Sequence, residues 1–230
     1  MENKSKPCAC RRKETDCLAG GVLHLIGCDV DVAHSEILYS VDTFDDSILK
    51  NDFVVKSGNW YVEDGWLVGK NPINGPGIVL SRANYYGDVM LEVKAQLVPP
   101  CTHDIDISIH TEWDEVKNHR GNAYVAGLEG WWHGRVGFEK SPEYKLYTLS
   151  SLFPFDPTAV HHFAMGNVGG KVFVIADGKL CFEVSDPDPL DVNANGKIGF
   201  EAYSSWWRLR DLRVRALRTE AVSEGYAPEF

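Results

Sequence analysis

Beyond residue 35 the chain alternates apolar and polar residues in short runs rich in Val, Ile, Phe, Tyr and Trp, with Gly, Pro, Asn and Asp clusters between them. No stretch sustains a 3.6-residue period, so the pattern predicts antiparallel strands and excludes a helical fold. The turn chemistry agrees. Glu63-Asp64-Gly65 and Ala176-Asp177-Gly178 each place Asp-Gly between alternating segments, and Asn195-Gly196 stands before Lys197; all three predict tight turns with positive φ. So many strands cannot bury both faces of a single sheet, whereas two sheets packed face to face can. The expected fold is therefore all-β, a two-sheet antiparallel jelly-roll sandwich with a concave ligand face. The jelly roll is expected over residues 36–218, flanked by a cysteine-containing extension at 1–35 and a polar tail at 219–230.

Charge narrows the partners. The chain carries 23 Lys and Arg against 33 Asp and Glu, a formal charge of −10, which argues against nucleic acid and against an anionic membrane surface. The Arg-rich stretch from Arg208 to Arg218 alternates with apolar residues as a strand does. No apolar run approaches the ~20 residues that span a bilayer. Arg11, Arg12 and Lys13 precede Leu25-Ile26-Gly27-Cys28, which resembles a lipoprotein cleavage box. Anchoring through Cys28 is thus the alternative to a cytoplasmic location, which Glu14, Asp16 and His24 inside the would-be leader favour. The cysteines at 8, 10, 17, 28, 101 and 181 are too few for a disulfide scaffold. Cys8, Cys10, Cys17, Cys28 and His24 contain enough ligands for zinc, but their spacing lacks paired two-residue knuckles and reads as reduced thiols.

Three segments carry a resemblance: Val41-Asp42-Thr43-Phe44-Asp45-Asp46, the run from Gly58 to Gly69 (GNWYVEDGWLVG), and Tyr86-Gly87-Asp88-Val89-Met90-Leu91-Glu92-Val93. Together they resemble the opening of the concanavalin A-like jelly rolls, most closely the 3-keto-disaccharide hydrolase domain family and a related bacterial family associated with rhamnogalacturonan utilisation. Gly196-Lys197-Ile198-Gly199-Phe200 and Leu209-Arg210-Asp211-Leu212-Arg213-Val214 are similar to the closing strands of both. The resemblance covers about residues 38–217 and implies a carbohydrate ligand on the concave face, with enzymes and binding modules both represented. The E-x-D-x-E strand of the laminarinase-like enzymes is not present in that form, nor are the arginine and glutamine motifs of the jelly-roll alginate lyases.

The stretch from His103 to Trp113 is the richest in chemistry. With a period of two, Ile105, Ile107 and Ile109 share one face, while Asp104, Asp106, Ser108, His110 and Glu112 share the other. His110 and Glu112 are expected as acid/base residues, with Asp106 tuning His110, and His133 or Glu201 as cross-strand partners. Trp113, Trp131, Trp132, Trp206 and Trp207 are expected at strand ends or in loops over a groove, where indole stacks on sugar C–H faces. Arg135 would orient a carboxylate or vicinal hydroxyls, and Tyr203 shares the face of Glu201. Asp42, Asp45 and Asp211, with Asp46 nearby, supply oxygen ligands for a structural calcium if the terminal strands lie side by side. Asp106, His110 and His133 are the alternative set, for a catalytic divalent metal.

These residues leave two main readings. The first is a carbohydrate-active enzyme, a glycoside hydrolase or lyase that cleaves a glycosidic bond of an oligosaccharide or glycoside, including a 3-keto or uronate-containing sugar, by acid/base hydrolysis or by elimination. The second is a non-catalytic carbohydrate-binding module. A third, a structural subunit or homo-oligomer, would bury the Trp pairs at an interface.

Overall fold

The computed structural model describes residues 21–131, 133–142, 144–150 and 153–221. Its strands run, in chain order, β1 (Val22–Leu25), β2 (Cys28–Val41), β3 (Phe53–Val55), β4 (Asn59–Glu63), β5 (Trp66–Lys70) and β6 (Pro76–Ser81). There follow β7 (Val89–Leu97), β8 (Ile105–Thr111), β9 (Trp113–Asp114), β10 (His119–Arg120), β11 (Ala123–Leu128), β12 (Val136–Ser141) and β13 (Leu146–Leu149). The last are β14 (His161–Val168), β15 (Lys171–Ala176), β16 (Lys179–Ser185), β17 (Lys197–Tyr203) and β18 (Trp206–Ala221). One short helix, α1 (Asp46–Asp52), lies between β2 and β3.

Two antiparallel sheets pack face to face. The first orders β1-β2-β18-β7-β14-β15-β16, with β5 and then β4 attached to the start of β18. The second orders β13-β12-β11-β8-β17-β6-β3. Between them lies one core that includes Ile105, Ile107 and Ile109, all fully buried as their alternation predicts. Leu91 and Val93 of β7 and Phe163 and Met165 of β14 meet it from the first sheet. Asp64 and Gly65, and Asp177 and Gly178, adopt positive φ in the β4–β5 and β15–β16 hairpins, as Asp-Gly requires. The third expected turn differs. Neither Asn195 nor Gly196 has positive φ; a methyl group on Gly196 would instead lie 2.9 Å from the Tyr85 backbone nitrogen, so close packing accounts for the glycine.

The sandwich begins earlier than residue 36. The β1–β2 hairpin folds Leu25, Val30 and Val32 onto Met90, Ala164, Phe173 and Ile175, forming a second, smaller cluster. β2 pairs with β18 from Cys28↔Ala221 to Val41↔Leu212, so both chain ends of the expected domain continue as sheet. Of the leader-like run, Leu25 is buried in this cluster, whereas Ile26 is 78% exposed. The cysteines at 8, 10 and 17 lie outside the described residues, whereas Cys28, Cys101 and Cys181 are free, partly buried thiols.

Candidate functional site

Strict alternation would send His110 to the same side as Asp106, but a bulge reverses it. Thr111 pairs with Lys197 and Ser108 with Gly199, so three steps on β8 face two on β17. The extra residue, His110, takes φ of +50° and turns into the sandwich interior. There its ring meets Tyr124 edge-on at 6.2 Å, Nδ1 lies 3.1 Å from the Asn195 carbonyl, and Nε2 lies 3.4 Å from Asn167. Burial pushes its pKa down, so the neutral ring is the stable form. Thr111 takes the outward place and donates to Ser108 Oγ at 2.9 Å. Glu112 is exposed at the foot of the β9–β10 hairpin, accepting from Asn122 at 2.9 Å. The two residues expected to carry acid/base work are therefore not together, and His110 is interior.

What the outer face of the second sheet gathers instead is carboxyl groups. Asp106 of β8 stands opposite Glu201 of β17 and opposite Gly127 of β11. Asp104, held at φ +75°, hydrogen-bonds Asp106 and also accepts from the Tyr203 backbone. Glu139 of β12 completes the group. Arg120, from β10, spans it: one guanidinium nitrogen bonds Glu201 Oε2, another bonds Glu139 Oε1, and Nε reaches Ser141 Oγ at 3.2 Å. Glu139 and Glu201 side chains are only 3% and 2% exposed, so this is a buried network with four carboxyls to one guanidinium.

That imbalance sets the protonation. Burial pushes Asp104 up to about 7, and it pushes Asp106 well above the usual carboxylate range, reinforced by the charges of Asp104 and Glu201. Glu201 is also raised by burial, against the opposing pull of Arg120. Arg120 is held firmly charged by Glu201 and Glu139 despite its burial. Asp106 Oδ1, Glu139 Oε2 and Glu201 Oε1 have no hydrogen-bond partner.

Glycines let the site close over these acids. A methyl at Gly127 would sit 2.2 Å from Asp106 Oδ1 and 2.4 Å from the Trp131 ring, and one at Gly130 would sit 2.4 Å from Asp104 Oδ1. The Trp131 ring thus lies flat across Gly127 and Gly137, edge-on to Tyr147 at 6.3 Å, with its N–H on the Tyr144 hydroxyl. Tyr144 and Tyr147 are 58% and 40% exposed and extend this aromatic shelf. Beside it opens a cleft of about 360 Å³ lined by His103, Glu129, Gly130, Trp131 and His133. Gly127→Ala is expected to destabilise the fold by about 1–3 kcal/mol through overpacking, read as a lower Tm together with a shift in tryptophan emission.

The remaining expected residues are dispersed. His133 is on the surface, bonding Glu129 Oε1 at 2.8 Å, far from His110 in role and surroundings. Arg135 donates to the Ser150 carbonyl at 2.8 Å, fastening the loop that carries Trp131. Tyr203 is exposed and donates to Asn74 at 3.3 Å. Trp207 is core, not groove: it is fully buried, edge-on to Trp60, and donates to the Glu201 carbonyl at 2.8 Å. Trp206 is covered by Lys70, whose nitrogen is 3.7 Å from the ring centre, and Trp113 similarly faces Lys56 at 4.9 Å. Trp132 lies outside the described residues.

The expected calcium carboxylates have other partners. Asp45 caps α1, accepting from Ile48 at 2.8 Å; Asp42 pairs with Arg213, and Asp211 with Lys94 at 2.8 Å. Among the described residues no three His, Cys, Asp or Glu side chains are placed to hold a metal ion, so neither expected set is assembled.

No protein-family profile matches the chain, and no curated protein matches it in sequence. Solved structures do match in shape. The carbohydrate-binding module CBM66 from Bacillus subtilis aligns at a TM-score of 0.59 and 16% identity, over 72% of this chain and 98% of that one. A Bacillus subtilis protein of unknown function with a galectin-like fold gives 0.64 and 14%, over 79% and 96%. The endo-beta-1,3-glucanase from Pyrococcus furiosus gives 0.60 and 11%, over 86% and 99%. The chain has the jelly-roll fold of the galectin-like and concanavalin A-like sandwiches. At these identities the likeness concerns fold, and binding modules and glycosidases share it.

Proposed function

We propose that this jelly roll acts on a carbohydrate and cleaves a glycosidic bond, with Asp106 and Glu201 as its acid/base pair. The observation that carries the reading is their placement: opposite each other on adjacent strands, both buried, both raised in pKa, each with one unpartnered oxygen, and next to the aromatic shelf of Trp131. Asp106, kept protonated by burial and by its neighbours' charges, would donate to the glycosidic oxygen. Glu201, paired with Arg120 through Oε2, would present ionised Oε1 as base or nucleophile. Trp131, with Tyr147, would stack against a sugar ring. The fold it shares with a glucanase and a binding module supports a sugar ligand. A 3-keto or uronate-containing glycoside is the finer reading, carried by the resemblance of the opening and closing strands.

One observation favours a binding module instead. Asp106 is 6% exposed, beside Gly130 and Trp131, and Glu201 is 1% exposed and bonded to Arg120, so a ligand stacked on the shelf touches neither unless these covering groups move. Product analysis after incubation with a panel of oligosaccharides, glycosides and 3-keto glycosides separates the two. The hydrolase reading expects cleavage, lost about 10²- to 10⁴-fold in Glu201→Gln. Binding without cleavage in the parent chain would leave the module. In either case Trp131→Ala is expected to weaken sugar binding several-fold, since stacking contributes about 1 kcal/mol per ring.

A further inference from the structure

The Arg-rich stretch from Arg208 to Arg218 falls on β18, on the sheet that the acid/base pair does not use. Trp207 and Leu209 belong to the core, so Trp206, Arg208 and Arg210 face outward from the first sheet. The neighbouring strands alternate in step. On β5, Leu67 is core while Trp66 and Lys70 point outward; on β7, Val93, Ala95 and Leu97 are core while Lys94 and Gln96 point outward. Register places Lys70 opposite Trp206, Arg208 opposite Gln96, and Arg210 opposite Lys94.

The result is a cationic face on a chain of net charge −10. The guanidinium carbons of Arg208 and Arg210 lie 4.5 and 4.4 Å from the Trp66 ring centre, and Lys70 Nζ lies 3.7 Å from that of Trp206. Among the described residues neither Lys70 nor Arg208 is paired with a carboxylate; Arg208 is held by Gln96 Oε1 at 2.7 Å. Arg210 comes no nearer than 4.0 Å to Asp211, and its Nε has no hydrogen-bond partner. The acids of this face are balanced or peripheral. Asp211 pairs with Lys94 at 2.8 Å and Glu92 with Arg215 at 2.9 Å, while Glu63 stands on β4, opposite Trp66.

These groups select a partner. A protein interface needs aromatic or aliphatic anchors at its centre, yet among the described residues β5, β7 and β18 expose no large apolar side chain, and the indoles of Trp66 and Trp206 carry cations over them. Duplex DNA, with one charge per ~1.7 Å, is repelled by the rest of so acidic a chain; a polymer of sugar rings carries its charges more sparsely. Arginines about 7 Å apart along one strand can each fork onto a carboxylate or a sulfate. We infer that the outer face of the first sheet holds a polysaccharide bearing carboxylate or sulfate groups, at a second site separate from the aromatic shelf of Trp131. Such a site does not depend on the acid/base pair.

The test is affinity electrophoresis of the full chain through gels containing polygalacturonate, dextran sulfate or uncharged dextran. The parent is expected to be retarded by polygalacturonate, dextran sulfate or both, which separates carboxylate from sulfate, and to lose that retardation as salt rises, because ionic contacts with a polyanion release counterions. Arg208→Gln/Arg210→Gln is expected to bind about a hundredfold more weakly, about tenfold for each charged hydrogen bond lost, whereas Trp131→Ala keeps most of the retardation. Should the double variant not fold, Lys70→Gln removes a single ammonium and is expected to lose several-fold. No retardation by either anionic glycan, or a loss in Trp131→Ala but not in the arginine variant, would overturn the site. So would tighter binding of polyglutamate or duplex DNA, which would assign the face to an acidic protein or to nucleic acid. The glycosidase reading is decided separately by uncharged oligosaccharides, which the arginine variant is expected to handle as the parent does.

Discussion

At pH 8 the Asp106→Asn chain is expected to melt at a higher temperature than the parent, and to have lost most of its turnover. The stability gain follows from the carboxyl cluster. In the unfolded chain an aspartate titrates near 3.9, whereas burial holds Asp104 at about 7 and Asp106 above its ordinary range. A group whose folded pKa is raised contributes its stability below the unfolded value and loses it as pH rises through the folded one. At pH 8 the folded parent must either bury an ionised Asp106 or hold a proton that the unfolded chain has given up, and an amide at 106 removes that cost. The relief follows from the direction of the shift alone: a carboxyl whose folded pKa lies above its unfolded value costs stability once the pH exceeds the unfolded value. It is read as a higher Tm of the variant at this pH. At about pH 3, where the carboxyl is protonated in the folded chain and largely so in the unfolded one, the difference should vanish. His110 acts in the opposite direction, since its depressed pKa removes stability as pH falls below about 6.5. That contribution is common to both chains and cancels in the comparison. Equal destabilisation of the variant at both pH values would mean that Asp106 is an ionised structural residue.

Trp207→Ala is expected to cost about 3–5 kcal/mol, the usual range for truncating a buried aromatic residue. Its indole is fully buried between Trp60 and Phe200 and holds the Glu201 carbonyl. Thermal or denaturant unfolding reads this directly, as a Tm lowered by roughly 2–4 °C per kcal/mol. Trp131→Ala, one loop away from the same acids, should change Tm far less and act on ligand instead. Tandem tryptophans thus divide between core and surface, because neighbouring residues on a strand point to opposite faces: at the start of β18, Trp207 faces the core and Trp206 the solvent side beneath Lys70.

Much of the fold was legible because it depends on local rules. The three isoleucines of β8 and the Asp-Gly turns specify face and hairpin without reference to the rest of the chain. The candidate site was legible only in part. Asp106 and Glu201 were recognisable as outward-facing acids, but their pairing is a register between strands distant in sequence, which no local pattern encodes. His110 misleads because one extra residue in β8 reverses alternation at the very position where the chemistry was expected to lie. Arg120, beside His119, was recognisable in the sequence as a fork for a carboxylate or vicinal hydroxyls, but which carboxylates it holds depends on a ribbon folding back over the sheet. Glu139 and Asp104 likewise gain meaning only from their neighbours. In the β1–β2 hairpin, the alternation of Val30 and Val32 with Asp29 and Asp31 was a usable signal, obscured by the leader-like apolar run before it.

The most direct test of the acid/base assignment is the protonation of the cluster itself, followed by carboxyl carbon NMR on chain labelled in Asp and Glu. The account predicts one carboxyl that titrates near 7 in the parent, and a second, held well above the ordinary range, whose titration is missing from Asp106→Asn. If every carboxyl in the parent instead titrates near the ordinary value of about 4, the cluster holds no proton at neutral pH, and Asp106 cannot serve as the acid.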